Sequence, residues 1–353
     1  MPTPDSNWIR SMTPRTAFST LSCPDWSFLD LIRNGSAFGF DGVEIRLLQR
    51  ETDLLSLPDF QPSQLKDRRR ELADAGFQIC GLSSSVQLQS PDKLERERQI
   101  ETGRRYLELA VELGASFVRV FGDVLQPTEN GSVPVEKVSP KQRSRTVSLV
   151  AEGLNQLGEL AEPLAVEVLI ETHGDFSSTV VMEETMRQVS SPAAGVLWDT
   201  HHPWRFFDEE LSASFGRLRP WIRHTHWKDS VRRPLASSSE ESSADDADAA
   251  AAKAHDLMSG HRHADYVLFR GGEFPAQECM RLLKENGYSG WHCLEWEKMW
   301  HPEIESPELA LPLFPPKICE LWNAAGPLAT GEVNARVWQE PRPPEKTDGF
   351  GGK

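Results

Sequence analysis

The chain lacks most features that would tie it to a membrane, a disulfide framework or a polyanion. Its five cysteines, Cys23, Cys80, Cys279, Cys293 and Cys319, are far apart, odd in number and form no C-x-x-C pair, which fits a reducing compartment better than a cross-linked secreted scaffold. The start, MPTPDSNWIRSMTPRT, has no signal-type apolar stretch, and no later apolar run approaches the roughly 20 residues that a membrane span needs. These absences predict a soluble cytoplasmic protein with no membrane partner. Basic residues are outnumbered: Lys+Arg 38 against Asp+Glu 53 gives a formal net charge of -15, so nucleic acid is not an expected partner. Also missing are the G-x-G-x-x-G and G-x-x-x-x-G-K turns with which open doubly wound sheets cradle phosphate.

What is present is a repeated alternation of short apolar runs with longer segments of helical spacing. The runs AFSTLS (17–22), DGVEIR (41–46), FQICGLSS (77–84), FVRVFG (117–122), AVEVLIE (165–171), GVLWD (195–199), WIRHTHW (221–227) and GWHCLEW (290–296) read as eight strands. Between them lie helical segments such as PDKLERERQIETGRRYLELAVELGA, in which Leu107, Val111 and Gly114 follow Ile100 at turn-like spacing, and FPAQECMRLLKENGY. "FGFDGVEI", "ELGASFVRV" and "ENGYSGWHCL" each set a glycine just before an apolar run, where a left-handed residue turns a helix end into the next strand. Eight βα units predict a (β/α)8 TIM barrel, an α/β fold that reaches 353 residues as one domain.

The barrel is expected over 1–326. Residues 232–263, rich in Ser, Ala and Asp and without apolar period, read as a mobile insertion after the seventh strand, with a lid as the alternative. Residues 327–353 read as a flexible tail. The Asn-Gly-Ser triplets at 34 and 130 formally match glycosylation acceptors but are read as turns.

A TIM barrel works at the C-terminal ends of its strands. The fifth strand ends at Glu171 in "LIETHGD", the sixth at Asp199 in "LWDTHH", the seventh at His226 in "RHTHWKD" and the eighth at Glu295 in "CLEWE". Alternation lets one tip residue from each of four neighbouring strands point into the mouth. Three carboxylates and an imidazole suit one divalent metal ion, Mn²⁺ first, with Mg²⁺, Co²⁺ or Zn²⁺ as alternatives. Without a cation, the carboxylates would repel one another strongly. Glu297 shares a strand face with Glu295, so either is open as the ligand. His201 and His224 are supporting candidates, and "HRH" at 261–263 is a weaker ligand pattern in an irregular stretch.

"IETHGD", "DTHH", "HTHWKD", "GGEFP" and "GYSGWHCLEWE", in this order, resemble the sugar phosphate isomerase/epimerase family, the xylose-isomerase-like barrels. The likeness runs from "FGFDGVEIR" to "LEWE". By motif, it implies Glu171, Asp199, His226 and Glu295 as the ligands of one divalent metal. It further implies substrate contacts from His173, His202, Arg119 and Glu44. The bland alternatives are that Arg119 neutralises Asp123 or a core carboxylate and that Glu44 pairs with Arg46 or another barrel cation. Lys228 is open between contact with an oxyanion, acid/base work and an outward solvated position. Trp198, Trp204, Trp227, Trp296 and Trp300 crowd these motifs, either as a platform for a sugar ring or as packing.

A metal in such a mouth acidifies a C–H beside a carbonyl. The expected activity is therefore isomerisation or epimerisation of a small-molecule sugar or polyol through an enediolate, with Glu171 and Glu295 as the acid/base pair. A lyase or dehydratase acting on a keto-sugar or inosose is the first alternative, and a non-catalytic binding protein another. An abasic-site endonuclease would need further histidines where this chain has "GLSSSVQ" and "VRVFGD". A homo-oligomer is left open.

Overall fold

The computed structural model describes residues 13–128, 131–233 and 264–326. Eight parallel strands close a barrel in sequential order: β1 (Arg15–Ser19), β2 (Gly42–Ile45), β3 (Gln78–Gln87), β4 (Phe117–Phe121), β5 (Glu167–Glu171), β6 (Ala194–Asp199), β7 (Ile222–Trp227) and β8 (Trp291–Leu294). All eight expected strands are found. The first is displaced, because Thr20–Ser22 turns into a 3-10 helix and the Thr20 hydroxyl there accepts the backbone N–H groups of Arg46 and Leu47.

Helices α1 (Phe28–Ala37), α2 (Pro62–Ala75), α3 (Lys93–Leu113), α4 (Pro140–Ala161), α5 (Thr179–Met186), α6 (Leu211–Leu218), α7 (Ala276–Glu285) and α8 (Phe314–Ala324) follow the strands. Gly39, Gly114 and Gly287 take φ of 86°, 73° and 74°, the left-handed turn expected of the Gly-before-strand pattern. Within α3, Leu107, Ala110 and Leu113 face the core, whereas Val111 is exposed. The buried stripe thus runs through Ala110, and a valine one position on lies off it. Asn34 lies inside α1 and not in a turn, since a Ser27–Asp30 capping box starts this helix early enough to carry it through Asn34-Gly35. Asn130, most of the proposed insertion and the tail from 327 fall outside the described residues. Arg232 belongs to a ribbon, Ser230–Arg232, that pairs antiparallel with Ala264–Tyr266.

Strand alternation sorts the side chains into two environments. Outward residues such as Val168, Ile170, Val196 and Trp198 join the main apolar shell under the helices. Inward residues fill the barrel in layers, with Phe117, Leu169 and Leu197 in one apolar group and Ala17, Cys80, Trp291 and Cys293 in another. One alternation step toward the C-terminal ends, the inward positions become Arg119, Glu171, Asp199, His226 and Glu295, with Glu44 below them beside His224, all buried. Trp198, Trp227 and Trp296 are buried behind the strands, and their indole N–H groups donate to Ser214 Oγ, Thr225 Oγ1 and the Glu305 carbonyl. These three pack the shell and do not line the mouth.

Two tests follow from this packing. A Cβ on Gly81 would lie 2.1 Å from Phe117 Cζ inside the barrel, so Gly81→Ala is expected to destabilise by about 1–3 kcal/mol in chemical denaturation, and wild-type stability would contradict this. His292 of β8 is packed between the rings of Trp227, Tyr288 and Trp322, and burial holds its pKa down to about 3. Below pH 6.5 the unfolded chain takes a proton at this site that the folded chain refuses, so stability is lost as pH falls. Wild type should therefore lose stability relative to His292→Gln as pH drops, whereas a constant difference between about pH 7 and pH 4 would refute the assignment.

Candidate metal centre

The strand register brings the tips together. Glu171 is paired with Leu197, one inward position before Asp199, Asp199 with His226, and His226 with Cys293, one inward position before Glu295, the stagger expected of tilted strands in a closed barrel. One ligand atom each of Glu171, Asp199, His226 and Glu295 lies within 4.8 Å of the others. Glu297, the open alternative to Glu295, instead groups with His202 and Glu295 and takes a hydrogen bond from Lys228 Nζ.

The polar atoms of this cluster show what it requires. His226 Nδ1 stands 3.4 Å from Glu171 Oε1 and 3.3 Å from Glu295 Oε2, yet it makes no hydrogen bond, and neither does Asp199 Oδ2. Asp199 Oδ1 is satisfied by the backbone N–H groups of His201 and His202, each at 2.8 Å. A buried nitrogen facing two carboxylate oxygens needs either a proton or a cation between them. Burial works against a charged His226, but the carboxylates of Glu295 and Glu44 outweigh it and lift its pKa well above the usual histidine range. The chemistry of the donor set, oxygen-rich with one imidazole, therefore fits a divalent ion.

Two further cations border the cluster. Lys228 is fully buried and is not the outward solvated lysine that the sequence left open. Its Nζ donates to Glu295 Oε2 at 2.6 Å and approaches Asp199 Oδ2 at 2.9 Å. Burial opposes its charge, but Asp199, Glu295 and Glu297 together raise its pKa well above the normal lysine range. Asp199 is nevertheless raised to about 6, because burial outweighs the attraction of Lys228. Arg119 of β4 holds its Nε 3.3 Å from Glu171 Oε2 and its guanidinium 3.8 Å from the centre of the Phe121 ring. It faces the core carboxylate Glu171, the second of its bland alternatives.

The histidines divide by environment. His202 Nδ1 lies 2.9 Å from the Thr172 carbonyl and Nε2 lies 3.0 Å from Lys228 Nζ. The carbonyl requires a proton on Nδ1, so Nε2 accepts from the ammonium. Burial and then Lys228 hold His202 well below its usual pKa, consistent with this neutral form. His173 borders the mouth, with Nδ1 3.3 Å from Asp123 Oδ1 and its ring 4.6 Å from that of Phe121. Asp123 is a non-glycine residue at φ 55° and also accepts from Gln87 Nε2 at 3.0 Å. His201 lies apart, 2.7 Å from Ser230 Oγ, and His224 faces Glu44. Glu44 lies beneath the mouth, 2.9 Å from His226 Nε2, and makes no ion pair with Arg46 among the described contacts. The sequence did not expose the roles of Ser83 and Gln87. Their positions in "GLSSSVQ" carry no chemical signal without the register of β3, which is irregular between Ser83 and Gln87.

A cleft of about 340 Å³ lies elsewhere, lined by Cys23, Trp26, Arg50, Lys298 and Glu308 among others. Its cations are engaged, Arg50 with Asp25 and Lys298 with the carbonyls of Pro302 and Ile304, and it contains none of the clustered ligands.

Removing Lys228 would leave Glu295, Glu297 and Asp199 without their ammonium. Lys228→Met is thus expected to destabilise the metal-free chain by about 3–5 kcal/mol, and Mn²⁺ should restore more stability to the variant than to wild type. Denaturation curves with and without the ion check this, and a variant as stable as wild type without metal would refute it.

Known proteins share both the fold and parts of the sequence. An inosose dehydratase of Bacillus thuringiensis (strain Al Hakam) is 23% identical over 286 residues, 80% of this chain and 85% of that protein. The crystal structure of a xylose isomerase-like TIM barrel protein from Mycobacterium smegmatis in complex with magnesium superposes with a TM-score of 0.61 at 18% identity, covering 90% of this chain and 98% of that one. The structure of an L-ribulose 3-epimerase superposes with a TM-score of 0.64 at 14% identity, covering 89% and 96%. No helix among the described residues is long and apolar enough to cross a membrane. With eight parallel strands closed around this mouth and a family model matching residues 32–311, the chain belongs to the xylose isomerase-like TIM barrel family.

Proposed function

We propose that Glu171, Asp199, His226 and Glu295 hold one divalent metal ion, and that the chain removes a proton beside the carbonyl of a small cyclic polyol or keto-sugar, with loss of water as the outcome. The observation that carries this reading is the convergence of the four ligand atoms within 4.8 Å, together with a buried His226 Nδ1 that faces two carboxylates without a hydrogen bond. Bound there, a divalent ion would polarise a substrate carbonyl and acidify the adjacent C–H. Mn²⁺ suits the donors first, with Mg²⁺, Co²⁺ and Zn²⁺ as alternatives.

The chain's own residues supply the proton transfers. Glu171 is the base, kept ionised against its burial and the charge of Glu295 by Arg119 and His226. Lys228 and His202, joined Nζ to Nε2, form the proton-donating side, where a departing hydroxyl can be protonated. His173 and Arg119 border the mouth as substrate contacts. Support for elimination comes from the asymmetry of the two glutamates. Glu295 Oε2 accepts a direct 2.6 Å hydrogen bond from Lys228 Nζ, which occupies an oxygen that a second base would need, whereas Arg119 Nε stands 3.3 Å from Glu171. The resemblance to inosose dehydratase over 80% of the chain supports the same outcome.

The second reading is epimerisation or isomerisation with Glu171 and Glu295 as paired bases, favoured by the presence of both carboxylates in the ligand cluster. Incubation of inososes and keto-sugars with Mn²⁺ in deuterated water separates the two. Elimination gives a product lighter by one water, with Glu171→Gln lowering kcat by about 10²–10⁴-fold while metal is retained. Deuterium uptake with inverted or moved stereochemistry and no lost water would favour the paired-base reading. A purified chain that takes up no divalent ion would sink both.

A further inference from the structure

Below the mouth, the barrel interior holds a second polar group that the proposed reaction does not use. Glu44 of β2 is completely buried. Its Oε2 stands 2.9 Å from His226 Nε2 and 3.0 Å from His224 Nε2, and its Oε1 accepts a hydrogen bond from Ser83 Oγ. A buried carboxylate accepts only, so His226 Nε2, which hydrogen-bonds it, carries a proton. An imidazole protonated on Nε2 presents, in its neutral form, a lone pair at Nδ1. In His226 that nitrogen is the one placed 3.4 Å from Glu171 Oε1 and 3.3 Å from Glu295 Oε2.

We propose that Glu44 is a positioning residue: by accepting Nε2–H of His226 it fixes the ring's tautomer and orientation, so that Nδ1 is the atom offered to a divalent cation among Glu171, Asp199 and Glu295. This rests on the metal site proposed above. It replaces the substrate-contact role implied for Glu44 by resemblance, because a carboxylate with no exposed surface, one layer below the ligands, meets no substrate. Ser83 and His224 brace the two carboxylate oxygens from β3 and β7. Carboxylate acceptors behind ligating histidines raise ligand basicity and lock ring orientation, and their loss typically weakens metal binding 10–100-fold.

The competing arrangement is a deeper metal site, because Glu44, His224, His226 and Cys293 also place one ligand atom each within 4.8 Å of the others. The hydrogen bonds that Glu44 already accepts from His226 Nε2 and Ser83 Oγ argue against it.

The test uses the full chain, stripped of metal with a chelator and titrated with Mn²⁺ by calorimetry. Glu44→Ala should raise the dissociation constant by about 10–100-fold, Glu44→Gln by less because one amide oxygen still accepts, and Ser83→Ala by less again. In the Mg²⁺-loaded wild type, histidine-selective ¹⁵N NMR should show the His226 proton on Nε2, a readout that loss of packing alone would not change. If Glu44→Ala does not fold, Glu44→Gln and the tautomer measurement decide the question. Folded Glu44 variants that bind Mn²⁺ as tightly as wild type, or a His226 protonated on Nδ1 in the loaded chain, would overturn the inference while leaving the metal site intact. So would binding of two Mn²⁺ per wild-type chain with one lost in Cys293→Ser. A wild type that binds no divalent ion would overturn the metal site itself.

Discussion

The requirement to neutralise carboxylates inside a closed barrel governs this molecule. Glu171, Asp199, Glu295 and Glu297 are all buried at the same end of the barrel, where water does not screen them and each added negative charge opposes the others. The structure meets this requirement from neighbouring strands. Arg119 approaches Glu171, while Lys228 approaches Asp199, Glu295 and Glu297. His226 and Lys228 lie two residues apart at the end of the same strand, so β7 supplies both the ligand imidazole and the balancing ammonium. The positive charge of Lys228 in turn helps keep His202 neutral, and a neutral His202 with its lone pair on Nε2 is what allows it to accept from that ammonium.

The layers of the barrel explain how such a charged mouth coexists with a stable fold. Lower inward positions are apolar, with Phe117, Leu169 and Leu197 on three successive strands, and the outward positions feed one continuous apolar shell beneath the helices. Arg119, Glu171, Asp199, His226 and Glu295 occupy the upper inward positions. The buried polar atoms without hydrogen bonds in this region include His226 Nδ1, Asp199 Oδ2 and the Nε of Arg119. These three face the clustered carboxylates of the barrel interior, where a bound cation or substrate would complete their bonding.

The two glutamates that look alike in sequence are unlike in charge environment. Glu171 meets a guanidinium at 3.3 Å, whereas Glu295 receives a direct 2.6 Å hydrogen bond from a buried ammonium. In the proposed reading, that difference favours an elimination over a two-base exchange. It is fixed by Lys228 and Arg119, residues that hold no place among the four clustered ligands.

The eight strands, the Gly-marked helix ends and the tip residues Glu171, Asp199, His226 and Glu295 were all legible in the sequence, because each is a local signal. Apolar period marks a strand, a glycine permits a left-handed turn, and alternation tells which residue at a strand end faces inward. What pairs with what was not legible, because it depends on the register between strands and on the closure of the ring. Only the tertiary structure placed Glu44 from near the start of the chain under His226, 182 positions away, turned Lys228 inward onto three carboxylates, and sent Trp198, Trp227 and Trp296 behind the strands. Val111 was misread for the same reason, since the direction of a buried stripe is settled by packing against neighbouring elements, whereas Asn34 was misread although the Ser27–Asp30 capping box that carries the helix through it is a local signal. The sequence by itself determined the barrel and the residues at its strand tips. The tertiary structure decided their charges, their protonation states and their partners, since these depend on distances across the barrel that no single segment encodes.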